Sequence, residues 1–199
     1  TLFPYTTLFR SPQAEAVGHI ARGGAVVAVH AHRAVAAWED YADVHVVTQN
    51  VDNLHERAGS SSIIHLHGSL FAPRCMACHR PGDFAPGVPD ATLTELEPPR
   101  CQHCQGYIRP GVVWFGEAMP QDAFRQAEEL VDACDAMLVV GTSGVVWPAA
   151  ELPINAHNLG KFVAEINPTP SELAPYMRVQ WPASAALGLP QLLSLLGTA

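Results

Sequence analysis

Basic side chains are scarce in this 199-residue chain: eleven Lys plus Arg stand against nineteen Asp plus Glu, and Lys161 is the only lysine. The net charge of −8 and a pI near 5.6 argue against nucleic acid as the main partner, and no direct nucleic-acid contact is expected, because a phosphate backbone is bound through a basic surface. Long apolar runs are missing too. No stretch reaches the roughly 20 residues of a membrane span, and no basic segment precedes an apolar run and a cleavage site. The expectation is a cytoplasmic protein with no membrane partner. Internal repeats and low-complexity tracts are also absent, so one main domain is the default. With 48% hydrophobic residues the chain is long enough for one sizeable core and a small satellite module.

Polar chemistry gathers between Val46 and Gly68. The run Val44 to Thr48 predicts a short buried strand, and it breaks at once into Gln49, Asn50, Asp52, Asn53 and His55. In an open α/β sheet ligands sit outside the carboxyl ends of strands, which places Gln49, Asn50 and Asp52 to touch one. The plainer alternative is an Asn/Asp turn in which Asp52 or Asn53 caps a helix beginning at Leu54. Ile63 to Gly68 carries His65 and His67 on alternate positions, which on a strand share a face. Such a pair can bind metal, be buried and satisfied, or supply a general base that titrates near neutrality.

Four of the five cysteines form two CxxC pairs, Cys75 with Cys78 and Cys101 with Cys104. Two knuckles flanking a loop read as one tetrahedral zinc site, each supplying two thiolates. Three other readings compete. Cys75 to His79 also spells the CxxCH haem attachment pattern, which leaves the second knuckle unexplained. Disulfides need an oxidising compartment that nothing here indicates. His79 or His103 could replace a cysteine as ligand. Cys134 is expected as a buried thiol on a helix.

Strands are expected at 44–48, 136–140, 161–166 and 178–181. Helices are expected at 13–24, ending at Gly23-Gly24, and at 31–39, 120–133, 148–158 and 183–195. Residues 25–30 are ambiguous between strand and helix, and Ser69 to Arg74 reads as a strand leading into the first knuckle. This alternation argues for an α/β fold, a doubly wound parallel sheet with the zinc module inserted. Gly141-Thr142-Ser143-Gly144 and Asn167-Pro168-Thr169 each follow a strand. They offer small and polar groups to a phosphate or ribose, or are plain turns. By composition Ile108 to Glu117 is an ordinary core strand stopped by Gly-Glu.

Thr48 to Gly59, TQNVDNLHERAG, followed by His65-Leu66-His67-Gly68, resembles the core signature of the sirtuins, the NAD-dependent protein deacylases. The likeness is to the bacterial group that includes lysine desuccinylases, and it extends from about residue 31 to the C-terminus. It implies a Rossmann-like NAD-binding domain over 12–68 and 108–199, and a zinc module over 69–107 held by Cys75, Cys78, Cys101 and Cys104. NAD and Zn2+ are the implied cofactors. His67 becomes the general base, and Gln49, Asn50, Val51 and Asp52 contact nicotinamide and its ribose. Gly141, Thr142, Ser143, Asn167, Pro168, Thr169 and Ala183 supply the other NAD contacts. Val112, Val113, Trp114, Phe115 and Gly116 take the substrate peptide by strand addition, with Val113 and Trp114 walling the acyl-lysine channel.

The implied reaction starts with attack of the acyl-lysine carbonyl oxygen on the ribose carbon bearing nicotinamide. His67 then takes a proton from a ribose hydroxyl so that the sugar can attack the acyl carbon. Nicotinamide, free lysine and O-acyl-ADP-ribose leave. Acylated-lysine peptides or proteins are the expected partners, met by a monomer. Two other classes stay open: a zinc-ribbon interaction module without catalysis, and a sirtuin-like ADP-ribosyltransferase.

Sirtuins also open with a glycine-rich strand-to-helix turn and an acidic-arginine loop that hold the NAD pyrophosphate. No G-x-G with that loop precedes residue 46, and Gly23-Gly24 lacks the spacing. The tyrosine and arginine that select an acidic acyl chain in the desuccinylases are not assignable to Tyr5, Arg10 or Arg22. Residues 1–11 match nothing in the family and are expected to be a non-native leader. The expectation is therefore an N-terminally truncated chain that binds NAD weakly or not at all.

Overall fold

The computed structural model describes residues 24–83 and 97–196. The leader expected at 1–11 and the helix expected at 13–24, with its Gly23-Gly24 stop, lie outside the described residues, Gly24 alone excepted. The described chain opens in α1 (Gly24–Ala37). The ambiguous stretch 25–30 is helical, and Ala31, Ala34 and Val35 form its buried stripe. A 3-10 turn, Trp38–Asp40, follows.

Five parallel strands carry the fold. β1 (Val46–Thr48) pairs with β2 (Ile63–His65), joined by α2 (Leu54–Ala58). β5 (Ala136–Val140), β6 (Phe162–Ile166) and β7 (Val179–Trp181) form a second parallel group. Between them in sequence, β3 (Gly68–Cys75) and β4 (Ile108–Val112) make an antiparallel ribbon. α3 (Gln121–Ala133) precedes β5, α4 (Glu151–Asn158) joins β5 to β6, and α5 (Ala185–Leu196) closes the described chain.

Alternation along the strands divides the core into two layers. Val47, Ile64, Met137, Val139 and Val163 pack with Ala127 and Val131 of α3 and with Leu152 and Ala156 of α4. Val46, Ile63, Leu138, Val140 and Ile166 pack with Ala31, Ala34 and Val35 of α1 and with Ala185 and Leu189 of α5. Period-two side chains feeding two apolar faces, each covered by helices, define the doubly wound α/β arrangement. Each fully buried aliphatic side chain contributes about 1.5–3 kcal/mol, so these two layers supply the main apolar stabilisation.

Two local expectations need correction. The helix expected from residue 148 begins at Glu151, because residues 147–150 form turns. His65 and His67 do not share a strand. β2 ends at His65, and Leu66 and His67 form a turn in which Leu66 is fully buried. Gly68 sets this turn: its φ is +71°, and a Cβ there would lie 2.1 Å from the Gly111 carbonyl oxygen. The chain thus leaves the parallel pair and enters the ribbon at the residue after His67.

Candidate functional site

Leu66 anchors the first cluster of candidate residues. Its side chain lies in the core and its amide donates to the Thr48 carbonyl at 2.8 Å, continuing the β1–β2 ladder. The histidines on either side are thereby turned onto the loop after β1. His67 Nδ1 lies 3.3 Å from the Gln49 carbonyl oxygen, and His65 Nδ1 lies 2.9 Å from that of Asn50. The Leu70 amide donates to the Val51 carbonyl at 2.8 Å. Asp52 Oδ1 accepts from the Leu54 amide at 3.0 Å, the Asx turn weighed as the plainer reading, with Asn53 as the N-cap of α2. Gln49, Asn50, Asp52 and His67 are therefore brought together.

A carbonyl oxygen only accepts, so His67 carries its proton on Nδ1 and presents Nε2 as the acceptor, the tautomer a general base needs. Burial lowers its pKa from the ordinary value, while the bond to Gln49 pulls the other way. A base with a lowered pKa is neutral over a wider pH range. Gln49 is 4% exposed, and its Oε1 has no hydrogen-bond partner among the described residues. A buried acceptor left open next to a base is a feature expected of a ligand site.

The second cluster lies at the ends of β5, β6 and β7. Asn167 Nδ2 donates to the Thr142 carbonyl at 2.6 Å, and the Asn167 amide donates to the Trp181 carbonyl at 3.2 Å, which also accepts from Ala183 at 2.8 Å. Gly141 donates to the Ile166 carbonyl at 3.0 Å, while Ser143, Pro168 and Thr169 are exposed beside these ties. Asn167 Nδ2 also donates, at 3.4 Å, to Oε1 of Glu165, which is buried on β6.

Val112 ends β4, and the segment after it arches outward with Trp114 and Phe115 exposed. An ion pair that sequence reasoning missed holds the arch. Arg109 is buried, donates both guanidinium arms to Glu117, and reaches the Val112 carbonyl at 2.7 Å. Its guanidinium carbon lies 4.4 Å from the Trp114 ring centroid, and Glu117 accepts from the Trp114 amide at 3.1 Å. These hydrogen bonds, Arg109 foremost, hold the Glu117 pKa down at about 2. Val113 donates to the His67 carbonyl at 2.8 Å, so the arch is tied to the residue carrying the base. The opposite charges bracketing the apolar run Ile108 to Glu117 were the available signal.

Cys75, Cys78, Cys101 and Cys104 bring their sulfurs within 4.8 Å of one another. Two of the separations are 3.4 Å and 3.8 Å, against an edge of about 3.8 Å for a tetrahedron with zinc–sulfur bonds of about 2.3 Å. The donor set fits Zn2+, and neither His79 nor His103 belongs to it. The two knuckles share one geometry: His79 donates to the Cys75 carbonyl at 3.1 Å and Gln105 to that of Cys101 at 2.9 Å. Both donors have positive φ, 58° and 63°. Backbone N–H groups, those of Cys78 and His103 first, lower the thiol pKa of Cys75 to about 6 and also that of Cys101, whereas Cys104, despite the Gly106 N–H, is pushed up to about 12 by the Cys75 and Cys78 sulfurs. Gly106 leaves room for this, since a Cβ there would meet the Cys75 sulfur at 3.1 Å. Cys134 is half-buried at the C-cap of α3, just beyond the helix, with its sulfur 3.3 Å from the Val131 carbonyl.

Behind the first cluster, His55 is 1% exposed, and neither of its ring nitrogens has a hydrogen-bond partner among the described residues. Its ring meets that of His32 edge-on at 4.6 Å. Burial, reinforced by His32 and His65, lowers its pKa from 6.5 to about 3. Between those values the unfolded chain binds the proton and the folded chain does not. Stability from this group is complete above pH 6.5 and falls by about 1.4 kcal/mol per pH unit toward pH 3. His55→Phe is expected to flatten that slope in urea melts between pH 6.5 and 4; an unchanged slope would remove His55 from the acid response.

A groove of about 520 Å3 between α3 and α4 has walls that include Arg125, Glu129, Leu152 and Asn155, and none of the candidate residues lines it. No helix among the described residues is long and apolar enough to cross a membrane.

The family model described as the Sir2 family matches residues 7–148, so the match begins inside the stretch 1–11 that was expected to lie outside the family. An NAD-dependent protein deacylase of Mycobacterium tuberculosis is 50% identical over 166 residues, covering 83% of this chain and 69% of the relative. NAD-dependent protein deacylase 2 of Corynebacterium efficiens is 47% identical over 169 residues, covering 83% and 66%. Among solved structures, a complex of a Sir2 homologue with NAD superposes with a TM-score of 0.77 at 39% identity, covering 85% of this chain and 64% of that one. A Sir2–p53 peptide–NAD+ structure gives 0.76 at 32% identity, covering 85% and 70%. The chain spans about two thirds of the length of these relatives. With the family model matched over most of its length and relatives half identical to it, the chain belongs to the Sir2 family.

Proposed function

We propose that this protein is an NAD-dependent protein-lysine deacylase, removing acetyl or succinyl groups from lysine and releasing nicotinamide and O-acyl-ADP-ribose. The observation that carries the reading is the contact between His67 Nδ1 and the Gln49 carbonyl, which leaves Nε2 as a proton acceptor at a strand end lined by amides. NAD, when bound, supplies an electrophilic ribose carbon and a nicotinamide leaving group. Gln49, Asn50, Val51 and Asp52 hold the nicotinamide end, and the open Gln49 Oε1 suits an amide or hydroxyl donor there. Gly141, Thr142, Ser143, Asn167, Pro168, Thr169 and Ala183 hold the rest of the dinucleotide. Val112 to Gly116 receive the acylated peptide along the arch clamped by Arg109 and Glu117. Zn2+ bound by the four cysteines serves the ribbon and not the chemistry. The division into a dinucleotide domain over 12–68 and 108–199, with a zinc module over 69–107, belongs to this proposal.

The test is mass spectrometry of acetyl- and succinyl-lysine peptides incubated with NAD and the protein. Deacylated peptide and O-acyl-ADP-ribose are expected in equal amounts. ADP-ribose retained on protein would replace this reading with ADP-ribosyl transfer, and zinc binding without any NAD consumption would leave an interaction module.

A further inference from the structure

We propose that His65 and Glu56 are a positioning pair that fixes the Gln49–Asp52 loop in its ligand-binding shape; the proposal rests on the NAD reading above. Three successive carbonyls of this loop are tied down, Gln49 by His67 at 3.3 Å, Asn50 by His65 at 2.9 Å and Val51 by the Leu70 amide at 2.8 Å. The Asn50 amide is held as well, by Thr48 Oγ1 at 3.0 Å. With these main-chain groups engaged, the side-chain amides are what the loop offers to a ligand.

Of the three carbonyl ties, the one from His65 is braced from behind. His65 Nε2 lies 2.8 Å from Glu56 Oε1, with the ring side chain 16% exposed and the carboxylate 43%. The Asn50 carbonyl and the Glu56 carboxylate each face one ring nitrogen, so the orientation of the ring is fixed at both ends. Glu56 belongs to α2 and His65 to β2. The pair therefore sets the middle carbonyl of the loop against two separate elements, without itself belonging to the residues assigned to NAD. A pair that only stapled α2 to β2 on the surface would shift the melting temperature and leave affinity alone.

The experiment measures ADP-ribose and NAD binding by calorimetry for the full chain and for Glu56→Ala, Glu56→Gln and His65→Ala. Both alanine variants are expected to bind roughly tenfold more weakly, the effect of losing one charge-assisted hydrogen bond. Glu56→Gln still presents an oxygen to the ring N–H and is expected to stay within about twofold of the parent chain. Alanine variants that bind as tightly as the parent would overturn the proposal, as would a glutamine variant as weak as the alanine one. If the parent takes up neither probe, as the missing glycine-rich turn leads one to expect, the pair is judged by hydrogen exchange at the amides of Asn50 and Leu70. Faster exchange in the two alanine variants supports positioning; unchanged exchange overturns it.

Discussion

Replacing His67 with alanine is expected to lower deacylation turnover by roughly 10²–10⁴-fold, the contribution of one well-placed general base. The loss should fall on kcat. His67 makes the longest of the three carbonyl ties on this loop, 3.3 Å to Gln49, and the ties to Asn50 and Val51 remain when the ring is removed. The pH profile carries a second expectation. Burial lowers the His67 pKa, so the ring stays neutral and able to accept a proton below the pH at which an exposed histidine would have become charged. The acid limb of kcat/KM should therefore lie below the ordinary histidine range, with activity rising as pH increases through the His67 titration. Steady-state kinetics with an acyl-lysine peptide at saturating NAD measure both. Unchanged turnover in His67→Ala would take the ring out of the chemistry.

Much of this was legible in the sequence because the informative residues are contiguous. The strand, the polar break at Gln49 and the helix start at Leu54 occur within about a dozen residues, where turn chemistry and periodicity are strongest. The two CxxC pairs were equally plain. Less legible was anything set by contacts distant in sequence. His65 and His67 looked like neighbours on one strand face, yet they meet the same loop because the strand stops and Leu66 buries itself. Arg109 and Glu117 were individually visible, but their closure over Trp114 depends on the turn that brings the end of β4 back on itself. His79 and Gln105, the positive-φ residues that complete the knuckles, are types that give no turn signal. Glu56 was read as part of a signature and not as the partner of a histidine nine residues on.

These distant contacts link the arch to the base. The β3–β4 ribbon begins at the residue after His67, carries Cys75 at its far end, and returns through Ile108 to Val112 and to Val113, whose amide holds the His67 carbonyl. Among the described residues its own apolar core is small: Cys75, Cys101 and Ile108, with Cys78 against them. The large layers over β5 and β6 involve none of these residues. The ribbon's stability therefore depends on something other than burial, and the four sulfurs are the available source.

Removing zinc is accordingly expected to unfold the ribbon and leave the parallel core standing. Structural zinc sites of four ligands contribute on the order of 10–16 kcal/mol of apparent binding free energy near neutral pH, at or above the roughly 5–12 kcal/mol that three or four buried side chains supply. One zinc per chain is expected by elemental analysis of the purified protein. Chelation, or Cys101→Ser, should raise hydrogen exchange across residues 68–83 and 97–112, while α3, β5 and β6 keep their protection. Because Val113 is tied to His67 and the arch follows β4 directly, the same treatment should raise the KM for the acylated peptide before it affects binding at the Asn167 cluster. Acid should act in the same direction, since protonated thiols release the metal. A zinc content well below one per chain, or exchange in 97–112 that does not respond to a strong chelator, would show that the ribbon stands without the metal and that the four cysteines have another use.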